Sequence, residues 1–387
     1  MFEKNSREIP FGKPMINDVD RAQVAKSLQD PILTHGPRCE LFESTFANFL
    51  GGGNCVTTSS CTAALHLFNM HINTGPGDEV ILPAISHVAT AHALEITGAK
   101  PIFVDCDQYT GNIDPNALAS AIGKATRAIC VVHYNGIPAD MTSIMAIANK
   151  YGLPVLEDCA TSLGGTWDGT HVGLFGDGAA FSFYPAKHIT SAEGGMFSSQ
   201  CASTATAIKR LRGFCYDRSL NERKLPGIYD VNGLGMNFRM SEMQAALGTS
   251  QLKRAPAFFS ARLRNFNAYK ECLKDQDGFR ILEPVDPRSK NSYYCLTVVL
   301  NKPKPGLRND LLAILPTYGI GVSVHYPHPL PRLKYYREKY GYINGTFQNA
   351  ELISDTSFNF PLGPHVSEDD IYYICEIFLN TLQDLKE

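Results

Sequence analysis

The chain has 387 residues, of which 44% are hydrophobic and 19% charged, a composition typical of a globular protein. At the usual size of roughly 100–200 residues per domain, this length predicts about two domains. The 35 Lys and Arg residues nearly balance the 38 Asp and Glu residues, which gives a net charge of -3, and no basic run could follow a nucleic-acid backbone. Nucleic acid is therefore not expected as a partner.

The start of the chain and the cysteines bear on the compartment. Residues 1–6 are polar and lack the apolar core of a secretory signal, and no apolar stretch approaches the roughly 20 residues needed to cross a bilayer. The 11 cysteines include no C-x-x-C pair and no cluster with histidine at metal spacing. We interpret them as buried thiols of a reducing compartment rather than as a disulfide framework, and we expect a cytoplasmic protein without a metal or a membrane partner.

Between residues 56 and 183, short β-branched runs alternate with helical patterns, which is typical of parallel strands joined by crossover helices. The predicted strands span residues 80–82, 102–104, 128–132, 154–156 and 179–183, and the predicted helices span 88–97, 114–122 and 140–151. Further predicted helices span 241–252 and 256–273, and further strands span 293–300 and 321–324. These patterns predict a large α/β domain with an N-terminal arm over residues 1–250 and a smaller α+β domain over 251–387.

Asp158 is the first candidate site residue, because it stands just beyond the buried run 154–156. Open α/β sheets bind their ligands beyond the carboxyl ends of their strands, and a carboxylate at that place needs a cationic partner. The alternative is that Asp158 only caps the next helix, since Asp is a favoured capping residue.

Lys187 is the second candidate. It follows the predicted strand 179–183 and precedes the glycine pair Gly194 and Gly195. A lysine beside buried strand ends is suited to forming a Schiff base, whereas a lone lysine in a loop is usually a solvated surface charge.

A third segment, residues 57–67, runs from small hydroxyl residues into a helical apolar pattern. Free amides and the dipole at such a helix start form an anion site, although Ser and Thr there are also ordinary caps. Ser182 would add a hydroxyl to the same anion. With Asp158 and Lys187, the segment supplies a phosphate cradle, a carboxylate for a ring nitrogen and an amine for an imine, which is what pyridoxal 5'-phosphate (PLP) requires.

In this order, these stretches resemble the DegT/DnrJ/EryC1/StrS family of PLP-dependent sugar aminotransferases, which have fold type I. The resemblance extends over nearly the whole chain and is carried by residues 11–14, 33–37, 60–65, 77–81, 157–160, 179–195 and 235–247, the last reading GMNFRMSEMQAAL. It implies a three-layer α/β/α large domain with a mostly parallel sheet, followed by the smaller C-terminal α+β domain.

Carried over position by position, the resemblance implies that Lys187 forms the Schiff base with PLP and later moves a proton, and that Asp158 pairs with the pyridinium nitrogen. The residues implied to hold the phosphate are Thr62, Ala63 and Ser182. Asn237 matches a family asparagine that reaches the cofactor of the neighbouring subunit, which implies a homodimer with shared active sites.

Three positions differ from the commonest family pattern or stand out beside it. His87 occupies the place where many members stack Trp or Phe on the cofactor ring, and Thr161 stands where Gln or His often follows the acidic pair. His188 follows Lys187 directly, and some family dehydratases have His in place of the catalytic lysine. The contacts of His87 and Thr161 to PLP are therefore expected to differ from those of most members.

The resemblance implies transfer of an amino group from glutamate to a keto sugar, in the biosynthesis of a surface polysaccharide or lipopolysaccharide sugar. The keto sugar is either a nucleotide-linked keto-deoxysugar or a keto sugar acid such as 8-oxo-3-deoxy-octulosonate, and the sequence does not distinguish them. The alternatives are a deoxysugar dehydratase of the same family using PLP or its pyridoxamine form, an idle PLP-binding regulator, and an enzyme acting on amino acids. The presence of Lys187 argues against the dehydratase. Candidate substrate-binding residues, chosen mainly from chain position, are His133, Arg212, Arg239, His325, Tyr326 and His328.

Overall fold

The computed structural model describes residues 7–218, 225 and 227–386. The helices in that part of the chain are α1 (Asp18–Ser27), α2 (Pro37–Leu50), α3 (Cys61–His71), α4 (Val88–Glu95), α5 (Pro115–Ala121), α6 (Met141–Tyr151), α7 (Ala202–Leu211), α8 (Glu242–Cys272), α9 (Leu307–Ile314), α10 (Lys334–Tyr340), α11 (Gln348–Thr356) and α12 (Glu368–Lys386). The strands are β1 (Asn54–Thr58), β2 (Glu79–Pro83), β3 (Lys100–Val104), β4 (Thr126–Val132), β5 (Val155–Asp158), β6 (Thr166–Trp167), β7 (Thr170–His171), β8 (Gly178–Ser182), β9 (Gly195–Ser199), β10 (Phe279–Ile281), β11 (Ser289–Lys290), β12 (Leu296–Leu300) and β13 (Ser357–Phe360). None of these helices is long and apolar enough to cross a membrane.

The central sheet has seven strands in the order β1-β9-β8-β5-β4-β2-β3. Strands β3, β2, β4, β5 and β8 pair in parallel, whereas β9 is antiparallel to both of its neighbours, β8 and β1. Strand β1 therefore points in the same direction as β8, and the carboxyl ends of all strands except β9 lie along one edge of the sheet. The parallel sheet predicted from the alternating pattern is confirmed.

Both faces of this sheet are covered by helices. Ile81, Ile129 and Val131 point to a cluster that includes Ile144 of α6, while Val80 and Leu82, their neighbours in β2, belong to the cluster around α3 and α4. Successive residues of a strand point to opposite faces, so the continuous apolar runs of the sequence reflect burial on both sides. The result is the three-layer α/β/α arrangement that the family resemblance implied.

The C-terminal part of the chain has its own core. Strands β10, β12 and β13 form an antiparallel sheet, and their buried faces pack with the end of α8, with α9 and with α12. The strand predicted over 321–324 is wrong, because only Ser323 forms a bridge there, to Asn359. Its neighbourhood pairs instead with the N-terminal arm, where Gly321 N donates to Ile9 O at 2.8 Å.

Helix α8 differs from the sequence prediction. The helices predicted over 241–252 and 256–273 are one continuous helix with Pro256 inside it. A proline lacks the amide that the carbonyl four residues earlier would accept from, but α8 contacts α1, α2 and α12, which hold the helix on both sides of that point. Residue 250, the predicted domain boundary, therefore lies within a helix, and the division of the chain into domains stays a prediction.

A buried hydrogen-bonded pair, Glu157 with His133, supports the edge of the sheet at which Asp158 lies. The carboxylate of Glu157 accepts four hydrogen bonds, from His133 Nε2 at 3.0 Å and from the amides of Gly173, Phe175 and Gly176 at 2.8, 2.9 and 2.8 Å. Burial opposes ionisation of Glu157, but these donors outweigh it and lower its pKa. The pair fixes the turn that follows β7 against the end of β5.

We predict that Glu157→Gln lowers the free energy of unfolding by about 3 kcal/mol at pH 7, because an amide cannot accept all of these bonds and buried donors lose their partner. The pKa of Glu157 is lowered on folding from its ordinary value of 4.5. Its contribution is therefore present above that value and is lost as pH falls through the folded pKa, so the difference between variant and wild type shrinks in acid.

Urea unfolding from pH 7 to about pH 3, a range that extends below the ordinary carboxyl pKa, measures this difference. Glu376→Gln is the matched control, because Glu376 is exposed on α12. A Glu157→Gln protein as stable as the Glu376→Gln protein at pH 7 would contradict the assigned role.

Candidate active site

Asp158 is the last residue of β5 and is only 5% exposed. Its Oδ2 accepts a hydrogen bond from Thr90 Oγ1 at 2.8 Å, and its Oδ1 accepts one from the amide of Ala160 at 3.0 Å. Within residues 7–218, 225 and 227–386, no Lys, Arg or His forms an ion pair with this carboxylate. In that part of the chain, the buried Asp158 carboxyl group is held by one hydroxyl and one amide and by no ion pair.

Lys187 lies in the loop between β8 and β9, whose flanking residues Ser182 and Gly195 are paired across the sheet. The backbone turns at the lysine, where Lys187 N donates to Tyr184 O at 2.9 Å. The amine lies 4.9 Å from the centre of the Tyr294 ring, a distance typical of a cation–π contact. The turn and the ring together set the position of the lysine side chain.

The charges of Lys187 and Asp158 act on the same two groups. Burial and the Asp158 carboxylate raise the pKa of the Cys61 thiol, while Lys187 opposes them. Partial burial lowers the pKa of His87, where Asp158 and Lys187 again act in opposite directions. Both residues therefore lie near enough to Cys61 and to His87 to act on them electrostatically, at the carboxyl edge of the sheet.

The start of α3 forms the third side of this space. Ser60 caps the helix, and its Oγ accepts the amide of Ala63 at 3.1 Å. The amides of Cys61 and Thr62, at the first two helical positions, have no acceptor within the helix. Thr62 and Ala63, which the resemblance implies as phosphate contacts, thus lie in the first turn of α3, where the amide of Ala63 bonds to the cap; their contact with a phosphate stays a prediction.

Gly195 allows β9 to approach this helix start. A Cβ on Gly195 would lie 2.4 Å from the carbonyl carbon of Ser60 and 2.5 Å from the amide nitrogen of Cys61, so any side chain there would displace the backbone of the helix start. Thr58 of β1 and Ser182 of β8 pair with Gly195 from either side. The hydroxyl of Ser182 is therefore brought next to the free amides of α3.

Aromatic rings close the opposite side. The ring of Tyr326 lies 5.7 Å from His87 and 5.5 Å from His325, and His325 stacks on Tyr294 at 5.5 Å. Phe11 of the N-terminal arm contacts the other side of His325 at 5.5 Å. Of the substrate candidates, His325 and Tyr326 are thus brought to the site.

Both of these candidates are uncharged near neutral pH. Burial, with the nearby charges of Lys187 and His87, lowers the pKa of His325 to about 3. Burial, with the nearby Tyr294 and Asp158, raises the pKa of Tyr326 well above its ordinary value of 10.0. The wall formed by these rings offers hydrogen bonds and flat apolar surfaces to a ligand, but no positive charge.

Two substrate candidates lie elsewhere, which corrects the sequence-based prediction for them. His133 is fully buried; its Nε2 donates to Glu157, and its Nδ1 accepts the amide of Ala139 at 3.0 Å. Arg212 is buried in an ion pair with Glu43 at 2.8 Å. His133 is therefore bonded inside the protein through both ring nitrogens, and Arg212 through its Nη1.

The remaining predicted residues are distributed around the site. Thr161 is buried and its hydroxyl donates to His133 O at 3.1 Å, so it braces the backbone beside Asp158. Asn237 is exposed, next to Phe238, whose carbonyl accepts the amide of Ser59 at 2.8 Å. Arg239 lies over the ring of Phe214 at 5.3 Å. His328 is exposed.

Sequence analysis missed Tyr294, Thr90 and Cys61 as site residues. Tyr294 was placed inside a predicted strand, but β12 begins only at Leu296, and Tyr293 before it has a φ of 57°. Thr90 follows His87 by three residues, so the family's aromatic position was a signal for it. Cys61 lies within the hydroxyl-rich segment 57–67, and its place directly after the cap Ser60 was the signal for its free amide.

Together these groups fit PLP. The cradle at Gly195 is too tight for a side chain, the two free amides and Ser182 suit a phosphate, and the buried Asp158 suits a cationic ring nitrogen. Lys187 reaches the same space with an amine. The positions of these residues are those of the structure, whereas the roles that the family resemblance implies for them stay predictions.

We predict that Gly195→Ala weakens PLP binding by at least about tenfold, equivalent to 1.4 kcal/mol, because the methyl group would push the helix start out of position. Absorbance titration with PLP measures the dissociation constant, after circular dichroism has shown that the variant is folded. Gly123→Ala is the control, since a Cβ on Gly123 meets nothing within 4 Å. Equal affinity in the two variants would remove the cradle from the site.

The chain was compared with known families and proteins. The family model described as the DegT/DnrJ/EryC1/StrS aminotransferase family matches residues 14–379. The spore coat polysaccharide biosynthesis protein SpsC of Bacillus subtilis (strain 168) is 33% identical over 381 residues, which cover 97% of this chain and 97% of SpsC.

Solved structures show the same similarity. PseC of Helicobacter pylori, an aminotransferase involved in the biosynthesis of pseudoaminic acid, superposes with a TM-score of 0.90 at 28% identity, covering 98% of this chain and 100% of that chain. Spr1654 of Streptococcus pneumoniae in its PLP form gives a TM-score of 0.91 at 25% identity, over 98% of this chain and 99% of that chain. The chain therefore belongs to the DegT/DnrJ/EryC1/StrS aminotransferase family, whose members are PLP-dependent.

Proposed function

We propose that this PLP-dependent sugar aminotransferase transfers an amino group from glutamate to a keto sugar in the biosynthesis of a surface polysaccharide or lipopolysaccharide. The observation that carries the proposal is the buried carboxyl group of Asp158, which forms no ion pair in the described part of the chain and lies, like Lys187, within electrostatic reach of Cys61 and His87. A buried anion without a partner is costly, and a pyridinium nitrogen would compensate it. Family membership and the similarity to SpsC and PseC support the sugar as acceptor.

Each side of the site has a role in this proposal. The amides of Cys61 and Thr62 and the hydroxyl of Ser182 would hold the phosphate, and Asp158 would hold the ring nitrogen in its protonated form. His87 lies where a flat face of the cofactor would rest. When bound, PLP supplies the electron sink for moving an amino group between two carbons.

Lys187 is the residue that moves protons in this scheme. Its Nζ would attach the cofactor and, once released, accept and return the proton at the reacting carbon. The face of Tyr294 attracts a cationic amine, so the ring marks a resting position for Nζ after it has taken up a proton. Among the described residues, Lys187 is the lysine whose charge acts on both Cys61 and His87.

The acceptor would bind against the rings of His325 and Tyr326. Both groups are neutral at pH 7, so they suit the hydroxyl groups of a sugar and do not neutralise a diphosphate. A nucleotide-linked keto-deoxysugar would need cations from outside this wall, for which Arg239 is the candidate. A keto sugar acid would make a smaller demand of the same kind, and a panel of both classes distinguishes them.

A homodimer with shared sites is part of the proposal. Large apolar side chains are exposed on α1 and α2 and on the segment before Asn237; they are Val19, Leu28, Leu41, Val231, Leu234 and Met236, between 46% and 80% exposed. Exposed apolar side chains mark an interaction site where they form one patch, which the proposal requires of these residues. Asn237 lies at the end of this segment and is itself exposed, as required of a residue that serves a neighbouring subunit.

We predict that the wild-type protein with PLP converts glutamate to 2-oxoglutarate and aminates at least one keto sugar of the panel, and that Lys187→Ala lowers turnover by at least about 10²-fold, the usual contribution of a proton-transferring side chain. Borohydride reduction followed by peptide mass analysis should place the cofactor on Lys187. Lys150→Ala, a change of an exposed lysine on α6, is the control.

The same experiment separates the alternatives. Loss of water from the sugar without any 2-oxoglutarate would indicate the dehydratase, and PLP binding without turnover on any substrate would indicate an idle regulator. A Lys187→Ala protein with full activity and full visible absorbance would overturn the proposed role of the lysine.

A second prediction concerns the shared site. Lys187→Ala and Asn237→Ala proteins are each expected to be impaired, and mixing them after reversible dissociation should recover about a quarter of wild-type activity, since half of randomly formed dimers are mixed and each has one intact site. Activity assays of the mixture and sedimentation of the wild type measure this. A fully active monomer, or a mixture no more active than its parents, would rule out sites shared in this way.

A further inference from the structure

The oxygens of Asp158 have different partners. Oδ1 accepts the amide of Ala160, two residues further along the chain, whereas Oδ2 accepts the hydroxyl of Thr90 at 2.8 Å. The first bond is local and would form in most turns that follow such a strand. The second joins β5 to helix α4, across β4, so its presence depends on the side chain at position 90.

Thr90 is itself bonded to a second buried hydroxyl. Its Oγ1 lies 2.7 Å from the Oγ of Ser86, and Ser86 and Thr90 are only 2% and 1% exposed. An ionised carboxylate only accepts hydrogen bonds, so the proton of Thr90 points to Asp158. The proton of Ser86 must then point to Thr90, because the single hydroxyl proton of Thr90 is already used. The direction of the whole chain of bonds is fixed by the charge at its end.

The same turn of backbone carries His87. His87 is the cap of α4, and its carbonyl accepts the amide of Thr90 at 3.2 Å. Ser86 and Thr90 therefore bracket His87 and tie its turn to Asp158. The spacing between the imidazole and the carboxylate, which on the proposed function contact one face and the nitrogen of the same ring, is set by these two hydroxyls.

Thr90 is the one side chain in the described ranges that donates a hydrogen bond to Asp158. The thiols of Cys61, Cys130 and Cys159 sense the charge of Asp158, but their pKa values are raised by burial and then by nearby carboxylates, so they stay protonated and are weak donors. A hydrogen bond from a hydroxyl to an ionised group is roughly twice as strong as one between neutral groups.

We propose that Ser86 and Thr90 form a hydroxyl pair that positions Asp158: the pair orients the carboxylate and sets its distance from His87, so that the site is ready for the ring nitrogen of PLP before the cofactor arrives. Thr90 and Ser86 are positioning residues, since they act through Asp158. The inference rests on the proposed pairing of Asp158 with PLP.

The test compares full-length wild type with Thr90→Val, Thr90→Ser and Ser86→Ala. Thr90→Val keeps the branched shape and removes the hydroxyl; we expect PLP affinity to fall by roughly tenfold or more, as for loss of a hydrogen bond to a charged group. The visible absorption maximum of bound PLP should shift, and kcat should fall while KM for glutamate stays near the wild-type value. Thr90→Ser should restore all three properties, and Ser86→Ala should give an intermediate loss of affinity.

Thr74→Val is the matched control. Thr74 is a buried threonine whose hydroxyl lies 2.8 Å from that of Thr97, near the end of α3 distant from the site. The Thr74→Val protein loses the same kind of hydroxyl pair. Its thermal stability should therefore fall, while its PLP affinity and absorption spectrum stay unchanged. An equal loss of PLP affinity in Thr74→Val would mean that the effect at Thr90 is general destabilisation, and would overturn the inference.

The remaining outcomes are also decisive. Wild-type affinity and spectrum in Thr90→Val, or failure of Thr90→Ser to restore them, would refute the role of the pair. If Thr90→Val does not fold, Ser86→Ala decides, because Thr90 is then still in place. If the wild type forms no 2-oxoglutarate, the proposed reaction is wrong, but the comparison of PLP affinities still tests the hydroxyl pair. If the wild type forms 2-oxoglutarate and Thr90→Val binds PLP with wild-type affinity, only the inference about the hydroxyl pair is wrong.

Discussion

A carboxylate buried at the end of a parallel strand, with no cation paired to it among the residues that the structure describes, is the constraint around which the site is arranged. Removing Asp158 from water costs free energy unless hydrogen bonds or a cation replace the solvent. One backbone amide and one hydroxyl are provided by the chain itself, and the rest of the compensation falls to a ligand. A buried carboxylate without a paired cation therefore indicates the charge of the ligand better than the polar residues at the surface do.

The sheet beneath supplies the rigidity that such a residue needs. The neighbouring carboxylate, Glu157, points the other way and is saturated by four hydrogen bonds, so the two acids of one dipeptide have opposite tasks. One is satisfied within the protein and stabilises the strand end, and the other, on the proposed function, is left for the cofactor. Alternation of side chains along a strand is what separates these tasks.

The fold was largely predictable because it depends on patterns that extend over many residues. Alternating short apolar runs and helical patterns specify a parallel sheet covered on both faces, and Asp158 and Lys187 were found because each follows such a run. His133 also follows a strand, but its sequence does not reveal that its ring turns toward Glu157. Arg212 meets Glu43, a partner far away in the chain, and the continuity of α8 through Pro256 depends on helices packed along it.

The reversed strand β9 has a consequence for how the lysine loop tolerates change. Residues 183–194 leave the sheet at Ser182 and return beside it at Gly195, so both ends of the loop are clamped to adjacent positions of one sheet. Within it, Ala186 lies against Gly12 of the N-terminal arm, where a Cβ would come within 3.1 Å. Because both ends of this loop are fixed, the insertion or deletion of a single residue cannot be absorbed by a shift of either end. Such a change would therefore move the amine of Lys187. Related sequences should therefore differ in the residue types of this loop more readily than in its length.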